Sequence, residues 1–156
     1  MKQTAELKGL TVEEIGESSS ACCVALRVRR MSRIITRVYD DALRSLGLTS
    51  SQFTLLTAVA QRDGITAAEI GLSLDIEKST LSRNLKRLVG IGLVQMDPPA
   101  GRHGRGLHLT EAGRKAIVAA YPVWRQTQDS VEKVLGTESS NEFDVILTSA
   151  EKLVAD

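Results

Sequence analysis

The feature that most constrains this fold is a pair of helix-start signals that stand close together in the middle of the chain. Thr49 and Gln52 have the spacing of a capping box, in which each side chain binds a backbone N–H that the first helical turn leaves free. Thr66 and Glu69 repeat the pattern. Two signals this close together predict short helices joined by turns rather than one long helix.

Three helices are expected from these signals and from the apolar residues that follow them at helical spacing. Asp63-Gly64 closes the first helix, and Asp75-Ile76 makes the turn before the third, because Asp tolerates turn geometry well. The third helix is expected to begin near Glu77. The side chains expected to face inward are Phe53, Leu55, Leu56 and Val59, then Ile70, Leu72 and Leu74, then Leu81, Leu85, Leu88 and Val89.

The hydrophobic period changes from helical to alternating after Gly92. Residues 93–96 and 107–109 are therefore expected to form two strands. Residues 97–106 between them are rich in Pro, Gly and basic side chains, which is typical of a turn segment. A short helix, a turn, a second helix and a hairpin in this order predict a winged helix-turn-helix. The expected fold class is mainly α with a small β-hairpin wing.

A long helix is expected before this unit. Apolar residues recur at spacings of three and four from Val24 to Leu46, and Gly47 is well placed to end the helix. Residues 1–19 are polar and lack a sustained period, so they are expected to form a flexible arm. The helix is accordingly assigned to residues 20–47.

Further helices are expected after the unit. One begins near Thr110 and is expected to be kinked or interrupted at Tyr121-Pro122, because proline lacks the N–H that a helix needs. Ser139 and Glu142 have the spacing of another capping box, which would open the last helix.

The terminal helices carry more apolar surface than a lone winged helix can bury, which indicates an interface between two copies of the chain. The expected division of the chain therefore begins with a flexible N-terminal arm over residues 1–19 and an N-terminal dimerisation helix over residues 20–47. A winged helix-turn-helix DNA-binding domain follows over residues 48–110, and C-terminal dimerisation helices over residues 111–156.

Charge is distributed unevenly, although the net charge of the 156 residues is only +1. Residues 77–105 contain six basic side chains and two acidic ones, whereas residues 129–156 contain two basic and seven acidic ones. A basic segment of this kind attracts a polyanion locally. The second helix of the predicted unit can lie in the major groove of DNA, where Arg, Ser, Thr and Lys contact bases or phosphates.

The candidate DNA-binding side chains lie on this helix and on the hairpin. Those on the hairpin tip are expected to meet the phosphate backbone or the narrow minor groove. Asn84 could read adenine, but it could equally face the protein. The candidates are Lys78, Ser79, Thr80, Ser82, Arg83 and Lys86 on the helix and Arg102, His103 and Arg105 on the hairpin.

Several short motifs in and around this unit belong together. They are the run Ile76–Leu88 (IEKSTLSRNLKRL), Gly92-Leu-Val94, Leu109-Thr-Glu-Ala-Gly113, and upstream Gly47-Leu-Thr49, Gln52-Phe53 and Leu55-Leu56. In combination they resemble the multiple antibiotic resistance regulator (MarR) family, over about residues 20–155. The resemblance implies a dimer formed by the first helix and the last two, with two winged helices reading a roughly palindromic operator. It also implies release of the DNA by a small-molecule effector or by oxidation.

The wing departs from the family pattern. Wings of the family usually carry an Asp-x-Arg pair, in which the acid braces an arginine that points at DNA. Gly101-Arg102-His103 occupies that stretch here, so the bracing acid is missing. Either Arg102 or Arg105 is left to take the arginine's role.

Cys22 and Cys23 are adjacent, and a vicinal disulfide is strained, so no disulfide framework is implied. This cysteine usage suits a reducing compartment. The two thiols lie near the position at which organic-hydroperoxide-sensing members of the family place a reactive cysteine, which makes them redox candidates. The alternative is that each is a small hydrophobic side chain with a structural role.

The expected function is that of a sequence-specific, homodimeric transcriptional regulator that binds double-stranded DNA and acts as a repressor. No cofactor, metal or enzyme activity is expected, because the sequence has no ligand spacing or catalytic motif that would support one. The N-terminus lacks the apolar run of a signal peptide and no segment has membrane-spanning length, so a cytoplasmic location is expected. Two alternatives stay open: a winged helix used as a protein–protein interaction module, and an architectural DNA binder without operator preference.

Overall fold

The structure is a computed structural model that describes residues 9–98, 104–136 and 138–154, apart from the side chain of Ser140. The chain divides into two compact units, the first ending at Arg37 and the second beginning at Val38. In chain order the elements are α1 (Val12–Cys22), α2 (Val24–Leu43), a 3-10 turn (Arg44–Leu46), α3 (Ser50–Gln61), β1 (Ile65–Thr66), α4 (Ala67–Ser73), α5 (Lys78–Gly90), β2 (Val94–Met96), β3 (Gly106–Leu109), α6 (Glu111–Leu135) and α7 (Ser139–Glu151).

The first unit contains a helix where an arm is expected. α1 begins with a capping box, in which the Glu14 N–H donates to the Thr11 hydroxyl and the Thr11 N–H donates to the Glu14 carboxylate. The expected flexible arm over residues 1–19 is therefore wrong for residues 12–19, and residues 1–8 lie outside the described part. The expected helix over residues 20–47 is also divided, because Cys23 is extended and α2 begins only at Val24.

The second unit is built around an aliphatic core. Most of the side chains expected to face inward are buried, but Leu72 is 85% exposed and Val89 is 36% exposed. Successive helical positions differ by about 100°, so Leu72 lies about 200° around α4 from the buried Ile70, and Val89 lies about 100° around α5 from the buried Leu88. The buried apolar residues are Leu43, Leu48, Phe53, Leu55, Leu56, Val59, Ile65, Ile70, Leu81, Leu85, Leu88, Val94, Leu107, Leu109 and Ala120.

The expected hairpin is present, and it belongs to a three-stranded antiparallel sheet in the order β1-β3-β2. Val94 pairs with Leu109 and Met96 pairs with Leu107 across β2 and β3. Ile65 of β1 pairs with Leu107 on the other side of β3. β3 is therefore paired on one side with β2, the other strand of the wing, and on the other side with β1 of the helix-turn-helix segment.

α6 begins where it is expected, with the Thr110 hydroxyl accepting a hydrogen bond from the Gly113 N–H at 3.0 Å. The sequence predicts a kink or an interruption at Tyr121-Pro122, and the helix is not interrupted there, because it continues through Pro122 to Leu135. Ala120 and Thr127 are buried on either side of the proline, and this packing outweighs the lost backbone hydrogen bond.

The capping box expected at Ser139 is also wrong. α7 includes Ser139 as its first residue, and Glu138 precedes it without a side-chain capping bond. Ser139 is buried, with 5% of its surface exposed. The amide of Asn141 donates instead to the Glu138 carboxylate at 3.2 Å. Among the described residues, no helix combines the length and the apolar character needed to cross a membrane.

Candidate nucleic-acid interface

α4 and α5 are joined by a turn that only a few residue types can make. Asp75 has a left-handed backbone with φ of 48°, which Asp adopts more readily than most residues. The Ile76 N–H then donates to the Gly71 carbonyl at 3.0 Å, which closes the turn. A Cβ at Gly71 would lie 3.4 Å from the Leu81 side chain, which is ordinary van der Waals contact, so α4 packs against α5 at this point.

The inward face of α5 anchors it against the core. Leu81, Leu85 and Leu88 are at most 4% exposed. The opposite face lies in solvent. Asn84, which could either read adenine or face the protein, is half-buried. All six side chains predicted on this helix are exposed, and the structure brings them together on one face: Lys78, Ser79, Thr80, Ser82, Arg83 and Lys86.

Sequence reasoning missed Glu77, which caps α5. Its carboxylate accepts hydrogen bonds from the Ser79 N–H at 2.8 Å, from the Thr80 N–H at 3.1 Å and from the Ser79 hydroxyl. These bonds, those of Ser79 first, hold the pKa of Glu77 below its usual value. The helix N-terminus is thus already occupied by a carboxylate, and the Ser79 hydroxyl is engaged within the protein. A glutamate directly before a Lys-Ser-Thr run was the available signal.

The described part of the hairpin ends at Pro98 and resumes at Gly104. Arg102 and His103 therefore lie outside the described residues. Arg105 is exposed at the base of the wing, and its Nε donates to the backbone carbonyl of Asp97. Arg105 is thus oriented by the β2 end of the hairpin, through a main-chain oxygen rather than through a carboxylate.

The Asp97 carboxylate has a different partner. It lies 3.1 Å from Nε2 of His108, and Nδ1 of the same ring lies 2.9 Å from the carboxylate of Asp63. These two contacts, that with Asp63 first, raise the pKa of His108 above its ordinary value. We call these three residues the wing brace.

A second cluster stabilises the start of α4 next to the wing brace. The Glu69 carboxylate accepts hydrogen bonds from the Thr66 N–H at 2.8 Å and from its hydroxyl at 2.7 Å, and it is also paired with Arg62. The Thr66 bonds, followed by the Arg62 contact, lower the pKa of Glu69 to about 2. The capping box predicted at Thr66 is confirmed, as is the one at Thr49.

A groove of about 800 Å³ lies between α4, α5 and the base of the wing. Five of the side chains that line it are large and apolar, namely Leu72, Ile76, Leu81, Leu85 and Met96. Three cations also line it, Lys78, Lys86 and Arg105. The same basic side chains thus belong to the exposed face of α5 and to an apolar groove.

The terminal helices carry large apolar side chains that nothing covers in a single chain. In the first unit, Val24 is 71% exposed and Val28 is 50% exposed. In the second unit, α6 and α7 contribute further side chains that are between 42% and 84% exposed: Val118, Tyr121, Val134, Leu135, Val145, Ile146 and Leu147. Each unit therefore leaves large apolar side chains exposed among its described residues.

Both cysteines lie where α1 meets α2, in the first unit. They are free thiols, with Cys22 exposed and Cys23 half-buried. The Cys22 thiol lies 3.0 Å from the carbonyl of Ser18, and the neighbouring Arg27 guanidinium donates to the carbonyl of Ala21. Across the described ranges, no group of three or more His, Cys, Asp or Glu side chains is placed to hold a metal ion.

A short helix, a turn, an exposed basic helix and a sheet-borne hairpin define a winged helix-turn-helix protein. Residues 46–103 match the family model described as the MarR family. The chain is 31% identical over 109 residues to the transcriptional regulator HosA of Escherichia coli O111:H-, which covers 69% of this chain and 78% of HosA. The chain therefore belongs to the MarR family of winged-helix transcriptional regulators, and its relatives are not enzymes.

Solved structures agree with this assignment. The transcriptional regulator MosR of M. tuberculosis superposes with a TM-score of 0.74 at 33% identity, over 83% of this chain and 96% of MosR. A structure of MosR in complex with DNA also has a TM-score of 0.74, at 30% identity over 85% of this chain and 98% of that one. The mainly helical fold with a winged hairpin is thus shared with solved members of the family.

Proposed function

We propose that this protein is a homodimeric repressor whose α5 helices and wings bind a roughly palindromic operator. The observation that carries the proposal is the exposed polar face of α5. This face points away from the core because the buried leucines lie on the opposite side of the helix. An α-helix fits the major groove of B-DNA, and Arg, Lys, Ser and Thr are the side chains that read or grip it there. The relative MosR has been solved with DNA bound to the same fold.

Within this interface the residues have different roles. Arg83 lies on the exposed face of a rigid helix, so it is suited to bidentate contact with guanine, whereas Lys78 and Lys86 supply charge to phosphates. The side chains of Thr80 and Ser82 on the same helix are also exposed. Arg105 at the base of the wing is assigned to phosphate or minor-groove contact, and Arg102 and His103 complete the proposed set. The Ser79 hydroxyl is left out of it, because it donates to the Glu77 carboxylate.

The homodimer is supported by the uncovered apolar surface of the terminal helices. Residues 20–47 and 111–156 are proposed to form the dimerisation domain and residues 48–110 the DNA-binding domain. Two copies related by a two-fold axis present two α5 helices, and such an arrangement matches an operator with two-fold symmetry. Sedimentation at micromolar concentration is expected to give a dimer, and a stable folded monomer would contradict this part of the proposal.

Repression and release follow from where the proposed contacts lie. A dimer bound across promoter DNA excludes other proteins from the same base pairs, which represses transcription. A small-molecule effector that fills the groove between α4, α5 and the wing would occupy Lys78, Lys86 and Arg105, the same cations that the proposal assigns to DNA. Binding of effector and DNA would then be mutually exclusive.

The test is a salt titration of affinity for two duplexes, the DNA upstream of the protein's own gene and a scrambled version of it. Wild-type protein is expected to prefer the upstream duplex. Arg83→Ala should cost about 1–3 kcal/mol on that duplex and relax the preference at one base pair. Arg44→Ala is the matched control, because Arg44 is an exposed arginine whose ion pair with Asp41 lies outside the interface.

The alternatives give different results. Equal affinity of the wild type for both duplexes would indicate an architectural DNA binder without operator preference. No affinity for either duplex at low salt would indicate a protein–protein interaction module. Addition of the wild type to a transcription reaction on the upstream DNA is expected to reduce the transcript, and an increase would contradict the repressor role.

A further inference from the structure

His108 connects three separate parts of the DNA-binding unit. It lies on β3, Asp63 lies in the loop between α3 and β1, and Asp97 follows the end of β2. The two contacts span 45 and 11 residues of sequence. A single side chain thus joins the helix-turn-helix segment to both strands of the wing.

Backbone contacts bring these parts together around two glycines. The Asp97 N–H donates to the Gly106 carbonyl at 2.9 Å, and the Gly64 N–H donates to the Leu107 carbonyl at 3.0 Å. A Cβ at Gly106 would lie only 2.5 Å from the Asp97 carboxylate and 3.2 Å from the Gly64 carbonyl. The absence of a side chain at Gly106 therefore allows the Asp97 carboxylate to lie against the strand and reach His108.

The geometry of the imidazole favours its charged form. A neutral histidine has one N–H donor and one acceptor nitrogen, whereas here both ring nitrogens face carboxylate oxygens. Only the imidazolium donates to both. The other charged groups beside the brace are engaged elsewhere, since Arg105 donates to the main-chain carbonyl of Asp97 and Arg62 pairs with Glu69. Among the described residues, Asp63 and Asp97 are thus the charged groups that face the ring.

We propose that His108 is a positioning residue for DNA binding, whose imidazolium fixes the base of the wing relative to the helix-turn-helix through Asp63 and Asp97. This role rests on the proposed function, because it matters only if the wing contacts DNA. It replaces the bracing acid that the wing sequence lacks. The bracing here acts on the strand that carries the wing, and Arg105 is oriented from the same Asp97 residue.

The charge of His108 gives the proposal a direction with pH. The pKa of His108 is raised in the folded protein, so the brace is complete below the ordinary histidine value of 6.5. It loses one of its two hydrogen bonds as pH rises through the folded pKa. Affinity for DNA is therefore expected to fall across that window at constant ionic strength.

The first experiment needs no DNA. The imidazole nitrogens of His108 are titrated by NMR in the full chain, in a His103→Gln background that leaves one histidine. We expect a raised pKa, which Asp63→Asn and Asp97→Asn each lower and which the matched charge control Asp129→Asn leaves unchanged. An ordinary pKa that none of these variants moves would overturn the brace.

The second experiment measures affinity for the upstream duplex from pH 6 to pH 9 in the same His103→Gln background. With His108 present, affinity should fall roughly two- to five-fold as pH rises, the range expected for exposed ion pairs. His108→Gln should bind more weakly at pH 6, with a flat profile. Parallel profiles for the two proteins would overturn the positioning role.

The two experiments separate this inference from the proposed function. A perturbed His108 that responds to both aspartate variants, in a protein with no affinity for any duplex at pH 6, would overturn the proposed function and with it the role of His108 in binding. DNA binding that is normal in His108→Gln at every pH would leave the proposed function standing and overturn this inference alone.

Discussion

Gly113 stands where no side chain fits, and replacing it tests how tightly α6 is joined to the wing. A Cβ at this position would lie 2.1 Å from the Leu93 carbonyl oxygen and 3.3 Å from a methyl group of Leu109. The Leu93 carbonyl is itself held by the Thr110 N–H at 3.1 Å, whereas the Thr110 hydroxyl donates to the adjacent Gly92 carbonyl at 2.6 Å. The Leu93 carbonyl cannot move aside without weakening its hydrogen bond to the Thr110 N–H.

Two effects of opposite sign decide the outcome of Gly113→Ala. Alanine is the better helix former by about 1 kcal/mol. Overpacking costs about 1–3 kcal/mol, and weakening the Thr110 N–H bond costs about 1 kcal/mol more. We expect a net loss of about 2 kcal/mol in the free energy of unfolding, which lowers Tm by about 4–8 °C in a domain of this size.

Gly90→Ala is the matched control for this experiment. Gly90 is also helical, at the end of α5, but nothing lies within 4 Å of its Cβ position. The same substitution should therefore be neutral or slightly stabilising there. Both variants are measured by thermal unfolding at one protein concentration, because the Tm of the proposed dimer would depend on concentration. A Gly113→Ala protein as stable as Gly90→Ala would refute the steric reasoning.

Three further outcomes are expected. Arg105→Ala should weaken binding to upstream and scrambled duplexes equally and lower the salt slope by about one, as measured by salt titration; a loss confined to the upstream duplex would assign base reading to Arg105. Peroxide should leave DNA binding unchanged both in the wild type and in Cys22→Ser/Cys23→Ser, and a loss restricted to the wild type would identify the thiols as a redox sensor. Glu69 has a folded pKa of about 2 against an ordinary 4.5, so its stabilisation is present above pH 4.5 and lost as pH falls towards 2. Acid unfolding of Glu69→Gln should therefore lack this part of the pH dependence, and a curve identical to the wild type would contradict it.

Local signals in the sequence predicted most of the fold. The capping boxes at Thr49 and Thr66 could be recognised because each is complete within four residues, and Gly47 ends the 3-10 turn after α2 in the left-handed conformation. The same signal at Thr11 opens a helix that the polar character of the segment hid. Ser139 and Glu142 have the spacing of a capping box but not its hydrogen bonds. The reason is that α7 already includes Ser139 as its first residue, whereas a capping residue must precede the helix.

The parts that escaped prediction depend on residues far apart in the chain. β1 is only two residues long, and it is a strand because Ile65 and Thr66 pair with β3. The wing brace depends on the same pairing, which brings Asp63 to His108. The exposed face of α5 was predictable, because the spacing of apolar residues along an amphipathic helix shows which side faces solvent. The contact between Asp97 and His108 was not predictable, because no local pattern in the sequence indicates it.

The shared position of β3 has a consequence for the DNA that a protein like this can recognise. Because β3 pairs with β1 next to α4 and with β2 of the wing, the wing base is hydrogen-bonded to the body that carries α5. For the proposed dimer, we therefore expect the separation between major-groove and flanking contacts to be fixed within each copy. Operators could differ in the bases that α5 meets, but within one half-site the distance between the two footprints should stay constant, and adaptation to a new spacing would require a change between the two copies.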